Sequence, residues 1–433
     1  MVKLSNPAAS WLSLARQRSL RATFPSKVIT IADVERAQAR IAGAVRRTPL
    51  SESAGLSRLL GAQVYLKLEN LQFTGSFKER GAASRLRLLT EAERALGVIT
   101  ASAGNHAQAV ALHASRLGVV ATVVMPEGTP LVKVQATESH GARVRLLGSS
   151  YDEAAEHAAK LAAETGAIYV HPFDDPEVIA GQGTIGLELL DQLAEMDAVI
   201  VPVGGGGLIA GIATVLRERK PEVRIIGVES RTFPGMRRAL ESELPHSLPP
   251  TALPGGKTIA DGIAVRRVGQ LTRKIVRALV DEIVLVDEEE IAEAILLLLE
   301  RERTVAEGAG AVGLAALLHR DLGLAGRRVV IVISGGNIDV NLVSRIIQRG
   351  LVKSGRLCRL FVTARDVAGT LHGITGAVAA ARANIVSIEH DREFSGVELG
   401  HTRVELVIET GGAEHIALVE AELARAGFEF RRA

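Results

Sequence analysis

A lysine stands where a helix is predicted to begin. In segment 74–81 (TGSFKERG) it follows a glycine-bearing turn. The positive end of the helix dipole favours the neutral form of an amine at this position. A neutral amine condenses with an aldehyde to give a Schiff base, so Lys78 is a candidate for covalent catalysis. The alternative is a solvated surface lysine, which describes most lysines.

A second segment combines small residues with an asparagine and a histidine. Segment 102–106 (SAGNH) follows a predicted buried strand and opens a predicted helix. The backbone N–H groups of such a helix start attract a carboxylate or a phosphate. The alternative is a tight turn in which Ser102 or Asn105 only caps the helix. His106 is either catalytic or structural.

A third segment holds four consecutive glycines. Segment 203–211 (VGGGGLIAG) lies between a predicted buried strand and a helix. Successive N–H groups there form a concave nest that suits a dianionic phosphate. A rival interpretation is a dinucleotide fingerprint formed by Gly205, Gly207 and Ala210, with Glu229 ending the next strand. The segment alone therefore also fits a nicotinamide-dependent oxidoreductase.

A serine ends another predicted buried strand. In segment 333–337 (ISGGN) the hydroxyl of Ser334 stands at the carboxyl end of the strand, where sheets of this kind bind ligands. A serine can hydrogen-bond a pyridine nitrogen without protonating it fully, which keeps the ring a moderate electron sink and favours rapid loss of a β-leaving group. A dinucleotide-binding site would not require the Lys78 segment, the SAGNH turn or Ser334, so their joint presence argues against that interpretation.

These segments are positioned by a regular alternation of strands and helices. Nearly continuous apolar runs predict strands buried on both faces, at 64–68, 98–102, 121–125, 143–147, 167–171, 198–203, 224–228, 282–286 and 329–334. Helical patterns separate them, as at 151–165 and at 287–302, where Asp287 is the expected N-cap. The pattern predicts an α/β fold of parallel sheets covered by helices.

The last part of the chain has a different order of elements. Residues 356–433 predict strand 360–363, helix 371–381, strand 384–390, strand 401–408, helix 414–426 and strand 428–431. This β-α-β-β-α-β order is typical of a ferredoxin-like unit. A boundary is expected near 350–355, where Gly and Ser loosen the chain.

Composition excludes several classes of function. The 433 residues carry a formal charge of +2, so neither nucleic acid nor a membrane surface is an expected partner. No apolar run is long enough to span a bilayer. The single cysteine, Cys358, fits a reducing compartment, and a cytoplasmic location is expected. Residues 1–29 form a basic leader that overlaps with organelle transit peptides but is expected to be a disordered extension or the product of an upstream start codon.

Taken together, residues 30–350 resemble the threonine/serine dehydratase branch of the fold-type II (tryptophan synthase β-like) pyridoxal-phosphate enzymes. The resemblance implies two parallel-sheet subdomains, the smaller one at about 72–165 inserted in the larger, and pyridoxal 5'-phosphate as the cofactor. It assigns the covalent link and the catalytic base to Lys78, with Phe77 beside the cofactor ring. It assigns the ring hydroxyl to Asn105 and the pyridine nitrogen to Ser334. The remaining implied contacts are the cofactor phosphate at Gly204, Gly205, Gly206, Gly207 and Leu208, and the amino-acid substrate at Ser102, Ala103, Gly104, Asn105 and His106.

Two details favour one reaction within this family. Serine racemases typically have a second serine in the turn, and here that position is Ala103, which removes the proton donor on the opposite face. Segment 258–265 (TIADGIAV) closely resembles the dehydratase version. The expected reaction is deamination of L-threonine to 2-oxobutanoate and ammonia, with L-serine giving pyruvate. Serine racemisation, 3-hydroxyaspartate dehydration and a non-catalytic amino-acid sensor are the alternatives.

Metal binding and regulation give further expectations. No carboxylate occurs from Arg231 to Gly235, so no metal site is expected there. The tail resembles an ACT domain, which binds small amino acids where two copies pair. Its loop 366–371 (DVAGTL) keeps Asp366 and Gly369 but lacks the usual proline between them. An amino-acid effector, with isoleucine feedback as one hypothesis, and a homo-oligomer are therefore expected.

Overall fold

The computed structural model describes residues 29–241, 256–392 and 396–433, so the basic leader lies almost wholly outside the described residues. Backbone contacts divide the chain into two compact units, Met1–Ile338 and Asp339–Ala433. None of the helices in these described ranges combines the length and the apolar character that crossing a bilayer requires.

The larger sheet of the first unit has six strands in the order β1-β2-β10-β7-β8-β9. Its strands are β1 (Leu50–Glu52), β2 (Gln63–Leu68), β7 (Ala198–Pro202), β8 (Arg224–Ser230), β9 (Glu282–Val286) and β10 (Arg328–Ile333). All neighbours pair in parallel except β1, which runs antiparallel to β2. The central strand β7 is buried along its whole length, as the continuous apolar run predicts.

The smaller sheet has four parallel strands in the order β5-β4-β3-β6. They are β3 (Val98–Ala101), β4 (Ala121–Met125), β5 (Arg143–Leu146) and β6 (Ile168–Tyr169). The last strand extends this sheet beyond residue 165, the end expected for the smaller subdomain. The mainly parallel larger sheet and the parallel smaller sheet confirm the predicted α/β class with two sheet-containing subdomains.

Thirteen helices of the first unit connect these strands within the described residues. They are α1 (Ile31–Ile41), α2 (Ala54–Leu60), α3 (Lys78–Leu86), α4 (Glu91–Leu96), α5 (Asn105–Arg116), α6 (Leu131–Glu138), α7 (Tyr151–Thr165), α8 (Pro176–Gln192), α9 (Gly207–Arg219), α10 (Gly235–Glu241), α11 (Gln270–Leu279), α12 (Glu288–Glu302) and α13 (Gly308–His319). Asp287 is the N-cap of α12, as predicted, because its side chain accepts hydrogen bonds from the N–H groups of Glu289 and Glu290.

The parallel arrangement determines where functional side chains can lie. The carboxyl end of β7 leads into the glycine segment and α9, and the carboxyl end of β10 leads into Ser334. In the smaller sheet, the carboxyl end of β3 leads into Ser102 and α5. Three of the four segments singled out by sequence therefore follow carboxyl ends of parallel strands, where ligands bind in open α/β sheets.

The second unit contains a four-stranded antiparallel sheet in the order β12-β13-β11-β14. Its elements are α14 (Val340–Lys353), β11 (Leu357–Arg365), α15 (Thr370–Ala380), β12 (Asn384–Asp391), β13 (His401–Glu409), α16 (Ala413–Arg425) and β14 (Glu429–Arg432). Buried and partly exposed residues alternate along β11 and β13, because one face of this sheet packs on the core and the other does not. The predicted ferredoxin-like order is therefore present.

The boundary between the units falls earlier than the sequence indicates. The expectation was a boundary near 350–355, whereas the contacts divide the chain after Ile338. The reason is α14, which packs against β11 and so belongs to the second unit. Only Ile346 of this helix is buried, whereas most of α13 is buried.

Candidate functional site

Lys78 is the first residue of α3, as the sequence predicts. Its side chain is half-buried, and Nζ donates a hydrogen bond of 2.8 Å to the carbonyl oxygen of Pro172. Nζ also lies 5.2 Å from the centroid of the Phe77 ring. Desolvation lowers the pKa of Lys78 to about 8, although the carboxyl group of Glu307 opposes this change. A substantial fraction of this amine is therefore neutral near physiological pH.

The backbone before Lys78 is tied to the end of β10. The N–H of Phe77 donates to the carbonyl oxygen of Ser334 at 3.0 Å, and the N–H of Gly336 donates to Gly75 at 2.9 Å. Ser76 and Gly335 form an antiparallel bridge between these two hydrogen bonds. The structure thus brings the Lys78 segment and Ser334 together, although 256 positions separate the two residues in sequence (334 − 78). The side chain of Ser334 is buried.

Asn105 takes part in a chain of hydrogen bonds that the sequence did not reveal. Its Nδ2 donates to Oε1 of Glu307 at 2.7 Å. Its Oδ1 accepts from Nδ2 of Asn337 at 2.6 Å, and the same Nδ2 donates to the carbonyl oxygen of Thr74 at 2.7 Å. The smaller-sheet turn is therefore joined to the Lys78 segment and to the residues after β10.

Glu307 is buried immediately before α13. Burial is the main reason that the pKa of its carboxyl group rises to about 8, and Asp261 adds to the rise. The hydrogen bond from Asn105 and the charges of Lys133 and Lys78 act in the opposite direction. Lys133 and Asp261 pair with each other at 2.5 Å at a partly exposed position. Near neutral pH Glu307 is therefore largely protonated.

The rest of the SAGNH turn is held by local contacts. The N–H of Gly104 donates to Oγ of Ser102 at 3.3 Å, and Ala103 packs against the core of the smaller sheet. His106 is buried, and its Nε2 donates to the carbonyl oxygen of Val170 at 3.2 Å. Desolvation lowers the pKa of His106 to about 3. The ring is therefore neutral and is not an acid near pH 7.

The glycine segment packs closely against Phe173. A Cβ atom at Gly205 would lie 2.3 Å from the Phe173 ring, which excludes a side chain there. Gly206 has a φ of +93°, and α9 begins at the next residue. Oγ1 of Thr272 donates to the carbonyl oxygen of Gly205 at 2.7 Å, which helps fix the turn. Because Phe173 follows Pro172, the acceptor for Lys78, the same short segment contacts both the lysine and the glycine turn.

Glu229, the acid of the alternative dinucleotide fingerprint, is used differently. Its Oε1 accepts from the N–H of Met236 at 2.7 Å and its Oε2 from the N–H of Arg237 at 2.9 Å. The carboxyl group is buried, which raises its pKa to about 8. Both oxygens therefore hold the start of α10, and this geometry does not favour binding of a ribose.

Several residues of this site were not identified from the sequence. They are Pro172, Phe173, Asp261, Glu307 and Asn337. Asn337 and Asp261 lie within segments 333–337 and 258–265, in which other residues carry the predicted roles. Glu307 is a lone acid before a run of small residues, and Pro172 acts through its carbonyl group, so neither has a distinctive pattern. Within the described residues, no group of three or more histidine, cysteine or acidic side chains is arranged to hold a metal.

The residues present fit pyridoxal 5'-phosphate. The site has an amine with a lowered pKa and a glycine turn in which a Cβ atom at Gly205 would clash with Phe173. The hydroxyl groups of Thr74 and Ser76 are buried and have no hydrogen-bond partner among the described residues. An aldehyde, a phosphate and polar ring substituents would meet complementary groups here.

Comparisons with known proteins agree with this chemistry. The family model described as "Pyridoxal-phosphate dependent enzyme" matches residues 41–335. The chain is 48% identical to the L-threonine ammonia-lyase of Thermotoga maritima over 93% of this chain and 99% of that protein. The structure of processed threonine deaminase isoform 2 from Solanum lycopersicum superposes with a TM-score of 0.68 at 38% identity, covering 73% of this chain and 88% of that one. Maize serine racemase gives a TM-score of 0.69 at 34% identity, covering 75% of this chain and 99% of that one.

Proposed function

This chain belongs to the family of pyridoxal-phosphate dependent enzymes, and from that premise we propose that it deaminates L-threonine to 2-oxobutanoate and ammonia. L-Serine, which lacks only the γ-methyl group, is the expected second substrate and gives pyruvate. The observation that carries the proposal is Lys78, a half-buried amine whose pKa is lowered to about 8 beside a glycine turn that can bind phosphate. The similarity to L-threonine ammonia-lyase over 93% of this chain supports the choice of substrate.

The proposed residues for holding the cofactor come from four segments. Lys78 provides the covalent attachment, and the N–H groups of residues 204–208 bind the phosphate. Asn105 would donate to the ring oxygen, and Ser334 would hydrogen-bond the pyridine nitrogen. Phe77 lies beside the ring. When bound, the cofactor supplies an electron-withdrawing system that stabilises negative charge at the substrate Cα.

The substrate is expected to bind at residues 102–106. The backbone N–H groups at the start of α5 are suited to its carboxylate, because they lie at the positive end of the helix. The neutral His106 ring is bonded to Val170 and serves to orient this turn. With Nζ released from its attachment to the cofactor, Lys78 would serve as the base that removes the proton from the substrate Cα. The overall reaction would lose the β-hydroxyl as water, and hydrolysis of the released enamine would give ammonia and the oxoacid.

The composition of the turn favours elimination over racemisation. A racemase needs a proton donor on the face of Cα opposite the lysine, and Ala103 has no ionisable group. Ala103 packs against the core of the smaller sheet. Replacement by serine would introduce a hydroxyl, so Ala103→Ser is expected to produce measurable D-serine from L-serine while the parent chain produces almost none.

The test of the proposed function is Lys78→Ala. Loss of both the covalent attachment and the base is expected to reduce kcat for L-threonine by more than about 10⁴-fold. The visible absorbance of the attached cofactor should disappear as well. Lys160→Ala removes an exposed lysine of α7 and is the matched control. Substantial oxoacid formation by Lys78→Ala, or absence of threonine turnover in the parent protein, would overturn the proposal.

The second unit is proposed to act as an amino-acid-responsive regulator of a homo-oligomeric, cytoplasmic enzyme. Its β-α-β-β-α-β order and the loop from Asp366 to Gly369 support the proposal. In this loop Nε of Arg392 donates to Oδ1 of Asp366 at 3.1 Å, and α15 begins directly after Gly369. Isoleucine or valine is expected to change the rate on L-threonine in the parent chain. The response should be weaker in Asp366→Ala, and equal responses would contradict this role for the loop.

A further inference from the structure

The side-chain amide of Asn105 has only one orientation that its neighbours accept. The carbonyl oxygen of Thr74 can only accept a hydrogen bond, so the atom of Asn337 that lies 2.7 Å away must be its nitrogen. That same nitrogen lies 2.6 Å from the Asn105 amide and must therefore meet its oxygen. The nitrogen of Asn105 then points to Glu307, whose Oε1 accepts at 2.7 Å.

This arrangement leaves Asn105 one unused N–H group. Asn337 uses both of its N–H groups, one on Thr74 and one on Asn105. Asn105 uses one N–H on Glu307 and its oxygen on Asn337. A reversed amide would place two N–H groups against each other at Asn337 and would lose the hydrogen bond between the two side chains. The group that Asn105 can offer to a ligand is therefore a donor.

A donor is the group that the cofactor requires at this position. The ring hydroxyl of pyridoxal phosphate carries negative charge when it is ionised, so an N–H group binds it and an amide oxygen repels it. We propose that Asn337 and Glu307 are positioning residues that fix the Asn105 amide with its remaining N–H towards the oxygen of the cofactor ring. The proposal rests on the proposed contact between Asn105 and the ring and deepens it.

The two positioning residues are both tied to the segment that follows β10. Asn337 follows β10 and lies over Gly75, where a Cβ atom would approach its Oδ1 to 2.8 Å. Gly75 has a φ of +72°, so glycine both fits the turn and leaves room for the Asn337 amide. The N–H of Glu307 donates to the carbonyl oxygen of Gly335 at 3.0 Å. The residues after β10 therefore fix both neighbours of Asn105.

Glu307 can hold Asn105 in either protonation state. A protonated carboxyl group keeps a carbonyl oxygen as acceptor, and a carboxylate has two acceptor oxygens. The charged groups that act on Glu307 are Lys78, Asp261 and Lys133. Titration of Glu307 is therefore not expected to reverse the amide. A glutamine at this position retains an acceptor oxygen, whereas a leucine has none.

The decisive variant is Asn337→Asp, which keeps the shape of the side chain but replaces its donor by an acceptor. It should favour the reversed Asn105 amide, so that an oxygen faces the cofactor ring. The measurements are the Kd for pyridoxal phosphate, from titration of the cofactor-free full-length protein, and the visible circular dichroism of the bound cofactor. We expect affinity to fall by about 10-fold to 100-fold, and the dichroism to change. Asn341→Asp, an exposed asparagine, is the matched control.

A double-mutant cycle separates positioning from a general structural role. If Asn337 acts through Asn105, then Asn337→Asp should weaken the affinity by less than about 3-fold further when Asn105 is already alanine. An equal loss in both backgrounds would overturn the proposal. Asn337→Ala in the same cycle supplies the answer if the aspartate variant does not fold, with a smaller but again Asn105-dependent loss expected.

Two substitutions of Glu307 test its hydrogen bond with Asn105 separately. Glu307→Leu should weaken cofactor binding by about 10-fold or more, and Glu307→Gln should weaken it less, because only glutamine retains the acceptor. Equal losses would contradict a positioning role. These readouts do not depend on threonine turnover. A parent protein that binds the cofactor and shows the coupling but does not deaminate threonine would refute the proposed function and leave this inference standing.

Discussion

Two lysines of the first unit, Lys67 and Lys78, are removed from water in different ways. Lys67 lies on β2 and is completely buried, and its Nζ pairs with Oε2 of Glu188 at 2.5 Å. Lys78 lies at the start of α3 and donates to an uncharged carbonyl group of Pro172. Burial lowers the pKa of both amines, and carboxyl groups oppose the change in each case: Glu188 and Glu69 at Lys67, and Glu307 at Lys78.

Lys67 belongs to a buried cluster with balanced charge. Arg80 of α3 bonds Glu69 through Nε at 2.8 Å and Glu188 through Nη1 at 2.6 Å. Lys67 also donates to the carbonyl oxygen of Thr48 at 2.8 Å. Two cations and two anions are thus packed together, and hydrogen bonds hold the geometry. Removing one member of such a cluster leaves a buried charge without its partner, which is costly.

The difference shows what makes one lysine structural and another reactive. Glu307 is the carboxyl group that acts on Lys78, and its own pKa is raised to about 8, so it is largely neutral where Lys78 is still protonated. Lys78 therefore lacks the compensating charge that Lys67 has. Arg80, two residues after Lys78, lies in the balanced cluster, and its side chain holds α3 while the amine at the start of this helix remains free to react.

The largest effect is expected from removing a carboxylate of the cluster. Glu188→Ala leaves both Lys67 and Arg80 without one of their partners and should lower the free energy of unfolding of the first unit by about 3–5 kcal/mol. Glu177→Ala on the same helix is the matched control, because Glu177 pairs with Arg40 at a partly exposed position. We expect a loss of about 1 kcal/mol or less there. Urea denaturation followed by far-UV circular dichroism measures the free energy of unfolding of both variants. Similar losses in the two variants would refute the distinction between the buried cluster and the partly exposed pair.

Substitution of Lys78 is expected to raise the free energy of unfolding of the cofactor-free protein, in contrast to substitution of Glu188. Its pKa falls from 10.5 to about 8 on folding, so below pH 8 a proton is held on a poorly solvated amine, and this destabilises the folded state. Lys78→Met should therefore stabilise the cofactor-free protein at pH 7, by about 1–3 kcal/mol. The gain should fade as the pH rises from about 8 towards 10.5, because the folded parent protein then loses the proton.

The matching substitution in the cluster tests the comparison directly. Lys67→Met leaves Glu188 with only Arg80 as a charged partner and should be destabilising at pH 7, unlike Lys78→Met. Thermal unfolding at a series of pH values distinguishes the two variants. A stabilising Lys67→Met would show that the cluster does not compensate the charge of this lysine.

Much of this arrangement follows from sequence patterns. The nearly continuous apolar runs predict the parallel strands, and the glycine, serine and lysine segments lie after their carboxyl ends or at a helix start, as expected. Lys78 was predicted from its position at the start of α3. Local sequence is informative here because strand burial and helix starts depend on neighbouring residues.

The partners of these residues could not be predicted in the same way. Asn337 reaches Asn105 across 232 positions of sequence, and Glu307 reaches it across 202. No periodicity or motif relates such distant residues, because their proximity depends on how the sheets pack. The charged cluster has the same property, since Lys67 and Glu188 are 121 positions apart. The assignment of α14 to the second unit likewise depends on its packing against β11.

The smallest expected effect concerns the exposed pair that acts on the carboxyl group beside Lys78. Asp261 raises the pKa of Glu307 and Lys133 lowers it, so Asp261→Asn should lower that pKa from about 8 and Lys133→Met should raise it. Each shift is expected to be about 1 unit or less, because water screens partly exposed charges. Difference infrared spectra against Glu307→Gln identify the protonated carboxyl band and its midpoint in the cofactor-free protein. Shifts of the Glu307 pKa in the same direction in both variants would mean that the substitutions alter packing rather than charge. The charges of Asp261 and Lys133 would then not contribute to the raised pKa of Glu307.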